Sequence, residues 1–256
     1  MKIGLFALLL AALPGVAAAE CRQALALGLD VSGSVDSKEY RLQLDGLAAA
    51  LQHPEVVEAL LSLPAHPVDL AVYEWSGPYD QRLLLPWRSI GDLATLQSFA
   101  GHLNTVARSS MDPSTALGTA KTFGGALLAR RPACWKHTLD ISGDGKSNTG
   151  PRPRDIRLPT HITINALVIG SDDTASTDRR QADVGELSSY FRAWVIQGPD
   201  AFIETALGFS DFERAMVRKL KRELQGLSLA TGPATPAFRT GDATPAQNPR
   251  IAVRSQ

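Results

Sequence analysis

Strand-length apolar runs alternate with helical segments along almost the whole chain, and that alternation narrows the possible folds more than any other feature. Leu25–Leu29 is an unbroken apolar run that stops at Asp30 and Gly33, as a buried strand does before a loop. Ser37–Leu51 then carries Tyr40, Leu44, Leu47, Ala48 and Leu51, the spacing of one buried helix face. His53-Pro54 interrupts it, and Glu55–Leu63 reads as a short helix. Val68–Trp75 and Arg82–Trp87 flank Gly77-Pro78 and predict an antiparallel hairpin. Helical patterns follow over Leu93–Val106 and over the Ala-rich Thr115–Leu128, where Gly118, Gly124 and Gly125 point to close packing on a sheet. His137–Ile141 and Ile162–Ile169 read as buried strands, Val184–Phe191 as a helix, Ala201–Thr205 as a last strand and Phe209–Leu224 as a last helix. This order predicts an α/β domain with a doubly wound, mostly parallel sheet, one antiparallel edge strand and helices on both faces.

The two ends do not belong to that domain. Lys2, the apolar run Ile3–Leu13 and the small residues Ala17-Ala18-Ala19 read as a secretory signal peptide over residues 1–19, cleaved near Ala19–Glu20. The expectation is an exported protein, periplasmic or secreted, with no later run apolar and long enough to span a bilayer. Residues 227–256 are rich in Ala, Thr, Pro and Gly, cannot bury enough surface to offset their ordering entropy, and read as a disordered tail. Residues 20–226 remain as one domain. Basic and acidic residues balance at 26 each, which argues against a nucleic-acid partner. Cys21 and Cys134 remain after cleavage, and an even count in an oxidising compartment permits one disulfide.

Asp30 and Asp144 both fall at the carboxyl ends of strand-like runs, where ligands bind in open α/β sheets. Asp30-Val-Ser32-Gly-Ser34 offers three oxygen-bearing side chains at alternate positions of one tight loop, with Gly33 letting the backbone curl so that they converge. A hard cation such as Mg²⁺ takes oxygen ligands in an octahedron and keeps several waters. One carboxylate and two hydroxyls suit it and leave positions open.

Asp-x-Ser-x-Ser after a first strand resembles the metal-ion-dependent adhesion site of von Willebrand factor type A domains. That family adds a Thr from a second loop, matched here by Thr115 in Ser-Thr-Ala-Leu-Gly118, and an Asp from a third, matched by Asp144 in Ser-Gly-Asp-Gly145. The likeness covers roughly residues 22–225. A narrower likeness is to secreted type-A-like proteins of proteobacteria with no established activity, through the strand Leu25–Leu29, Ser34-Val-Asp36, Ser-Gly-Asp-Gly and Tyr190-Phe191.

The resemblance implies a Rossmann-like, type-A-like sheet. It implies a Mg²⁺ site (Mn²⁺ or Ca²⁺ being possible) at Asp30, Ser32, Ser34, Thr115 and Asp144. Ser32, Ser34 and Thr115 would coordinate directly, and the two aspartates largely through water. It also implies a protein partner whose acidic side chain completes the shell. Asp112, in a stretch that replaces the family's usual glycines, stands as a further carboxylate that could join the ion. In such a sheet the first and fourth strands are parallel neighbours. The resemblance therefore implies that Cys21 and Cys134, nine and ten residues before Asp30 and Asp144, meet in a bridge.

Other motifs are incomplete. Gly143-Asp-Gly-Lys146-Ser147 lacks the first Gly of a phosphate-binding loop, where Asp140 stands. No serine has the Gly-x-Ser-x-Gly context of a nucleophile elbow. The five histidines lack zinc-protease spacing. The basic run Arg214–Arg222 is interleaved with acids at its ends and reads as a solvated helix face. The expected function is therefore cation-dependent binding of a protein and not catalysis, with a metal-dependent hydrolase or a structurally metal-stabilised domain as alternatives.

Overall fold

The structure, a computed structural model, describes residues 21–170 and 177–225. The signal-peptide and tail segments lie outside the described residues. The strands are β1 (Gln23–Asp30), β2 (Val68–Trp75), β3 (Gln81–Ile90), β4 (Lys136–Gly143), β5 (Ile162–Ile169) and β6 (Ile203–Ala206). The helices are α1 (Ser37–Leu51), α2 (Pro54–Leu61), α3 (Leu93–Leu103), α4 (Leu117–Leu128), α5 (Thr177–Trp194) and α6 (Phe212–Gln225). They build one six-stranded sheet in the order β3-β2-β1-β4-β5-β6, with only β3 antiparallel. This is the doubly wound, edge-antiparallel architecture that the alternating pattern predicts.

β1 is buried over its whole length because it lies between β2 and β4. Its alternate side chains feed two cores. Leu25, Leu27 and Leu29 pack with apolar residues of α1, α2, α3 and α6, while Ala24 and Ala26 pack with those of α4 and α5. A strand with core on both faces reads as a continuous apolar run, which is why β1 is conspicuous in the sequence.

Several boundaries differ from the sequence expectations. β3 runs past Trp87 to Ile90. It is an edge strand, so Pro86 costs no ladder bond and Arg88 and Ser89 are free to be polar. α5 is longer than Val184–Phe191, because its surface turns are polar and carry no apolar period. The last strand starts at Ile203 rather than Ala201, and Phe202 N–H bonds the Asn165 side chain. Residues Phe209–Asp211 form a 3₁₀ turn before α6 begins at Phe212.

Two devices tie the far end of the sheet. Cys21 and Cys134 are joined, with Cα atoms 4.6 Å apart. The buried Arg22 guanidinium donates to Ala59 O at 2.5 Å, Leu60 O at 2.8 Å and Ser62 Oγ at 2.6 Å, satisfying carbonyls that the end of α2 leaves without partners. Beneath α6, the buried Lys219 ammonium lies 2.6 Å from both Asp140 of β4 and Glu223. Asn165 also donates to Glu223, at 2.7 Å.

Candidate metal centre

Parallel pairing of β1 with β4, in which Gly28 faces Ile141, delivers Asp30 and Asp144 to the same edge of the sheet. The loop after β1 is pinned on all sides. Val31 N–H bonds Trp75 O at 3.0 Å, Val35 N–H bonds Ser32 O at 3.0 Å, and Gln43 Nε2 donates to Asp30 O at 2.9 Å. Asp36 starts α1 with a reciprocal cap: its carboxylate accepts from Lys38 and Glu39 N–H, and Glu39 accepts from Asp36 N–H at 2.8 Å. Such a capping box fixes where the helix begins and hence how the loop before it closes.

Within this loop the side chains of Asp30, Ser32 and Ser34 converge. Asp30 Oδ1 accepts Ser32 N–H at 2.9 Å, the Ser32 and Ser34 hydroxyls are 3.3 Å apart, and Ser34 Oγ donates to Asp144 Oδ1 at 2.8 Å. Gly33 N–H bonds Pro113 O at 2.8 Å. A Cβ on Gly33 would lie 2.8 Å from Pro113 Cβ, so this position admits only glycine without a shift. The contact draws the segment carrying Thr115 against the first loop.

Thr115 is buried in a loop, not in the first turn of a helix as the sequence pattern suggests. Its N–H goes to Asn148 Oδ1 at 2.9 Å, and its C=O accepts Asn148 N–H at 2.9 Å and Ser147 Oγ at 3.1 Å. Ala116 N–H goes to Ser76 O at 2.8 Å. These bonds replace a helical first turn, so α4 starts at Leu117. Ser147 and Asn148 are site residues that the sequence reading missed. Their side chains, and the Asn148 N–H, bond the Thr115 backbone, a contact that carries no motif. Asp112 is exposed, and its Oδ1 takes both the N–H of Ser114 at 2.8 Å and its hydroxyl at 2.5 Å, which hold this carboxyl below the usual range.

The electrostatics of the centre are those of a site short of positive charge. Asp30 is fully buried, and one of its oxygens, Oδ2, has no hydrogen-bond partner among the described residues. Burial, reinforced by the neighbouring Asp144, pushes the Asp30 carboxyl up to about 8. Burial raises Asp144 as well, against the bond from Ser34. Gly143 leaves open the space beside Asp30, since a Cβ there would lie 3.2 Å from Asp30 Oδ2. Two carboxylates, two neighbouring hydroxyls, an orphaned buried oxygen and the absence of a basic side chain among their bonded partners form a donor set suited to a hard cation. A different cluster, Cys21, Asp69 and Cys134, has ligand-type atoms within 4.8 Å of one another at the far end of the sheet. Its sulfurs are bonded to each other, and Asp69 takes Arg131 at 3.3 Å and the Ser89 hydroxyl at 2.5 Å.

Comparison with known proteins places this geometry in context. Residues 20–228 match the family described as Protein of unknown function (DUF1194). No curated protein matches the chain. Among solved structures, proximal thread matrix protein 1 from the mussel byssus, with a zinc-occupied MIDAS motif, superposes with a TM-score of 0.54 at 13% identity over 80% of this chain and 46% of its own. The pilus adhesin SpaC from Lactobacillus rhamnosus GG gives 0.52 at 15% identity, over 81% of this chain and 30% of its own. A von Willebrand factor type A protein from Catenulispora acidiphila gives 0.50 at 12% identity, over 81% and 43%. The chain thus spans less than half the length of these structures, and the likeness is one of fold.

Proposed function

The chain belongs to the family described as Protein of unknown function (DUF1194) and has a von Willebrand factor type A-like fold, and from that premise we propose that it is an exported, divalent-cation-dependent protein-binding module. The observation that carries this reading is the buried Asp30 Oδ2, without a hydrogen-bond partner among the described residues, near the linked pair Ser34 and Asp144.

Ser32, Ser34 and Thr115 would hold the ion through their hydroxyls, with Asp30 and Asp144 balancing its charge from behind. When bound, Mg²⁺ supplies a hard positive centre with an open position for an oxygen anion. Asp30 fixes the loop through Ser32 N–H, Asp144 holds the Ser34 hydroxyl and Asn148 holds the Thr115 backbone, so the segments that carry the hydroxyls are set before any ion arrives. An acidic side chain of the partner is the complementary ligand. The zinc-occupied motif of the mussel matrix protein and the adhesin role of SpaC support this reading by analogy of fold. No helix among the described residues is long and apolar enough to cross a membrane, and the disulfide suits an oxidising compartment.

The hydrolase alternative needs a general base near the ion. His137 and His161 meet edge to face at the start of β4 and β5, and His66 packs on Trp135 beside the disulfide, all at the end of the sheet remote from Asp30.

The test is capture of a partner from a cell-envelope extract on immobilised protein, with Mg²⁺ and with EDTA, beside the Asp30→Ala variant. Capture that needs both Mg²⁺ and Asp30, with unchanged circular dichroism, is the expected result. Turnover of phosphate or peptide esters that depends on Mg²⁺ and Asp30 would overturn the reading in favour of an enzyme. Collapse of the fold in EDTA would assign the ion a structural role.

A further inference from the structure

Beside the candidate metal centre, the loop that follows β4 shapes a cavity of about 450 Å³, lined by Ser147, Asn148, Arg152, Arg154, Tyr190 and Trp194 among others. That volume lies in the range of small-ligand sites. The cavity shares a wall with the metal centre, since Ser147 and Asn148 are the residues that bond the Thr115 backbone. Among the described residues, its lining carries two guanidinium groups and no carboxylate. Arg154 lies over the Trp194 ring, 4.6 Å from its centroid. Among the described residues it pairs with Asp155 at 3.6 Å, both side chains being substantially exposed, so little in that pair holds it from another anion.

The floor is rigid. The buried Lys121 ammonium of α4 donates to Pro153 O at 2.8 Å, and Tyr190 of α5 accepts Ser147 N–H through its hydroxyl at 3.2 Å. On the far rim, Gly150 lies against Pro78 of the β2–β3 turn, and the next residue, Tyr79, is 95% exposed. A cationic, aromatic-walled cavity and an exposed tyrosine therefore border the loop that carries Thr115. Exposed arginine and aromatic groups grouped in this way are the residues that anchor protein partners.

We infer that this cavity is a second recognition site for an acidic segment of the protein partner, in which Arg152 and Arg154 take a carboxylate set a few residues from the one that meets the cation. The inference rests on the cation-dependent reading and adds to it the chemistry of the partner: at least two acidic side chains, spaced along one chain.

The experiment uses a fluorescein-labelled hexaglutamate peptide as probe, with hexalysine, glucuronate and inorganic phosphate as separate arms. Binding to the full mature chain is read by anisotropy in Mg²⁺ and in EDTA, for the wild type, Arg152→Ala/Arg154→Ala and Asp30→Ala. Charge-assisted bonds to a carboxylate are strong enough that the double arginine variant is expected to weaken hexaglutamate binding about tenfold or more in Mg²⁺. Its calorimetric Mg²⁺ affinity and its melting temperature should stay unchanged. Residual hexaglutamate binding in EDTA should also vanish in that variant. Equal hexaglutamate affinity in the wild type and the double variant overturns the inference, as does displacement of the labelled hexaglutamate by glucuronate or phosphate at concentrations below those at which unlabelled hexaglutamate competes. Failure of the cation reading is separate: it shows as Mg²⁺ binding that survives in Asp30→Ala.

Discussion

Ser34 donates its hydroxyl to Asp144 Oδ1 at 2.8 Å, joining two loops 110 residues apart in the chain. Neither residue has a reason of packing to meet the other. Parallel pairing of β1 with β4 brings the loops to one edge, and the bond then sets the separation of a hydroxyl and a carboxylate that are both proposed to hold the cation. Replacing Ser34 with Ala should therefore lower Mg²⁺ affinity by about ten- to a hundredfold, on the scale of lost metal-site contacts. The bond is solvent-exposed, so stability should fall by less than about 1 kcal/mol. Calorimetry and thermal melting of one variant separate the two effects.

Protonation of Asp30 should set the pH dependence of the cation-free protein. Its carboxyl is raised from 3.8 to about 8 by burial and by Asp144, so the folded state holds a proton that the unfolded chain releases. That contribution is fully present below pH 4 and is lost as pH rises through 8. In EDTA, stability should therefore decline between pH 4 and 8, with Asp140, raised to about 7 by burial, contributing in the same direction. Asp30→Asn mimics the protonated form. It should raise the melting temperature at pH 8 in EDTA by a few degrees, equivalent to roughly 1–2 kcal/mol, while removing Mg²⁺ binding. An unchanged or lower melting temperature would contradict the assignment of strain to Asp30.

The same linkage makes cation affinity pH-dependent. Binding needs Asp30 ionised, so Mg²⁺ affinity should rise between pH 6 and 8 with release of protons. Calorimetry in buffers of different ionisation enthalpy reads that release directly.

Lys219 is the charge that holds Asp140 and Glu223 in the core, with all three side chains at 0–1% exposure. Lys219→Met should leave two buried carboxyls unpaired and cost about 3–5 kcal/mol, measured by denaturant unfolding. Lys219→Arg keeps the charge but must fit a larger planar head into the same space, and should recover only part of the loss.

The Cys21–Cys134 bridge encloses a sequence separation of 113 residues. A paired Cys→Ser variant should lose roughly 3–5 kcal/mol of stability. β1 has eight residues between the bridge and the site, roughly 25 Å of strand. Mg²⁺ affinity should therefore be unaffected under conditions where the variant is folded.

The fold was legible because its central strands are buried throughout, like β1 and β2, or nearly so, like β5, and are bounded by turn residues. Both produce patterns that local physics ties to one structure. The edges were less legible. β3 reaches Ile90 through Arg88 and Ser89, and the polar surface of α5 hides its length. In the candidate centre, Asp30, Ser32 and Ser34 stood out because one loop carries all three, and Asp144 because it ends a buried strand. Thr115 was found by resemblance but placed in a helix, because its backbone bonds go to Ser147 and Asn148, partners 32 and 33 residues away with no periodic signature. The cavity with Arg152, Arg154 and Trp194 was invisible for a similar reason: it joins a loop after β4 to the end of α5, and no spacing rule links them.

We propose that Asp30 belongs to a cation site that the fold does not require. Isothermal titration of Mg²⁺ into the wild type and into Asp30→Ala, with circular dichroism of both, tests this directly. One binding event in the wild type, no detectable heat in the variant, and superimposable spectra are expected. Equal Mg²⁺ affinity in the two proteins would contradict it.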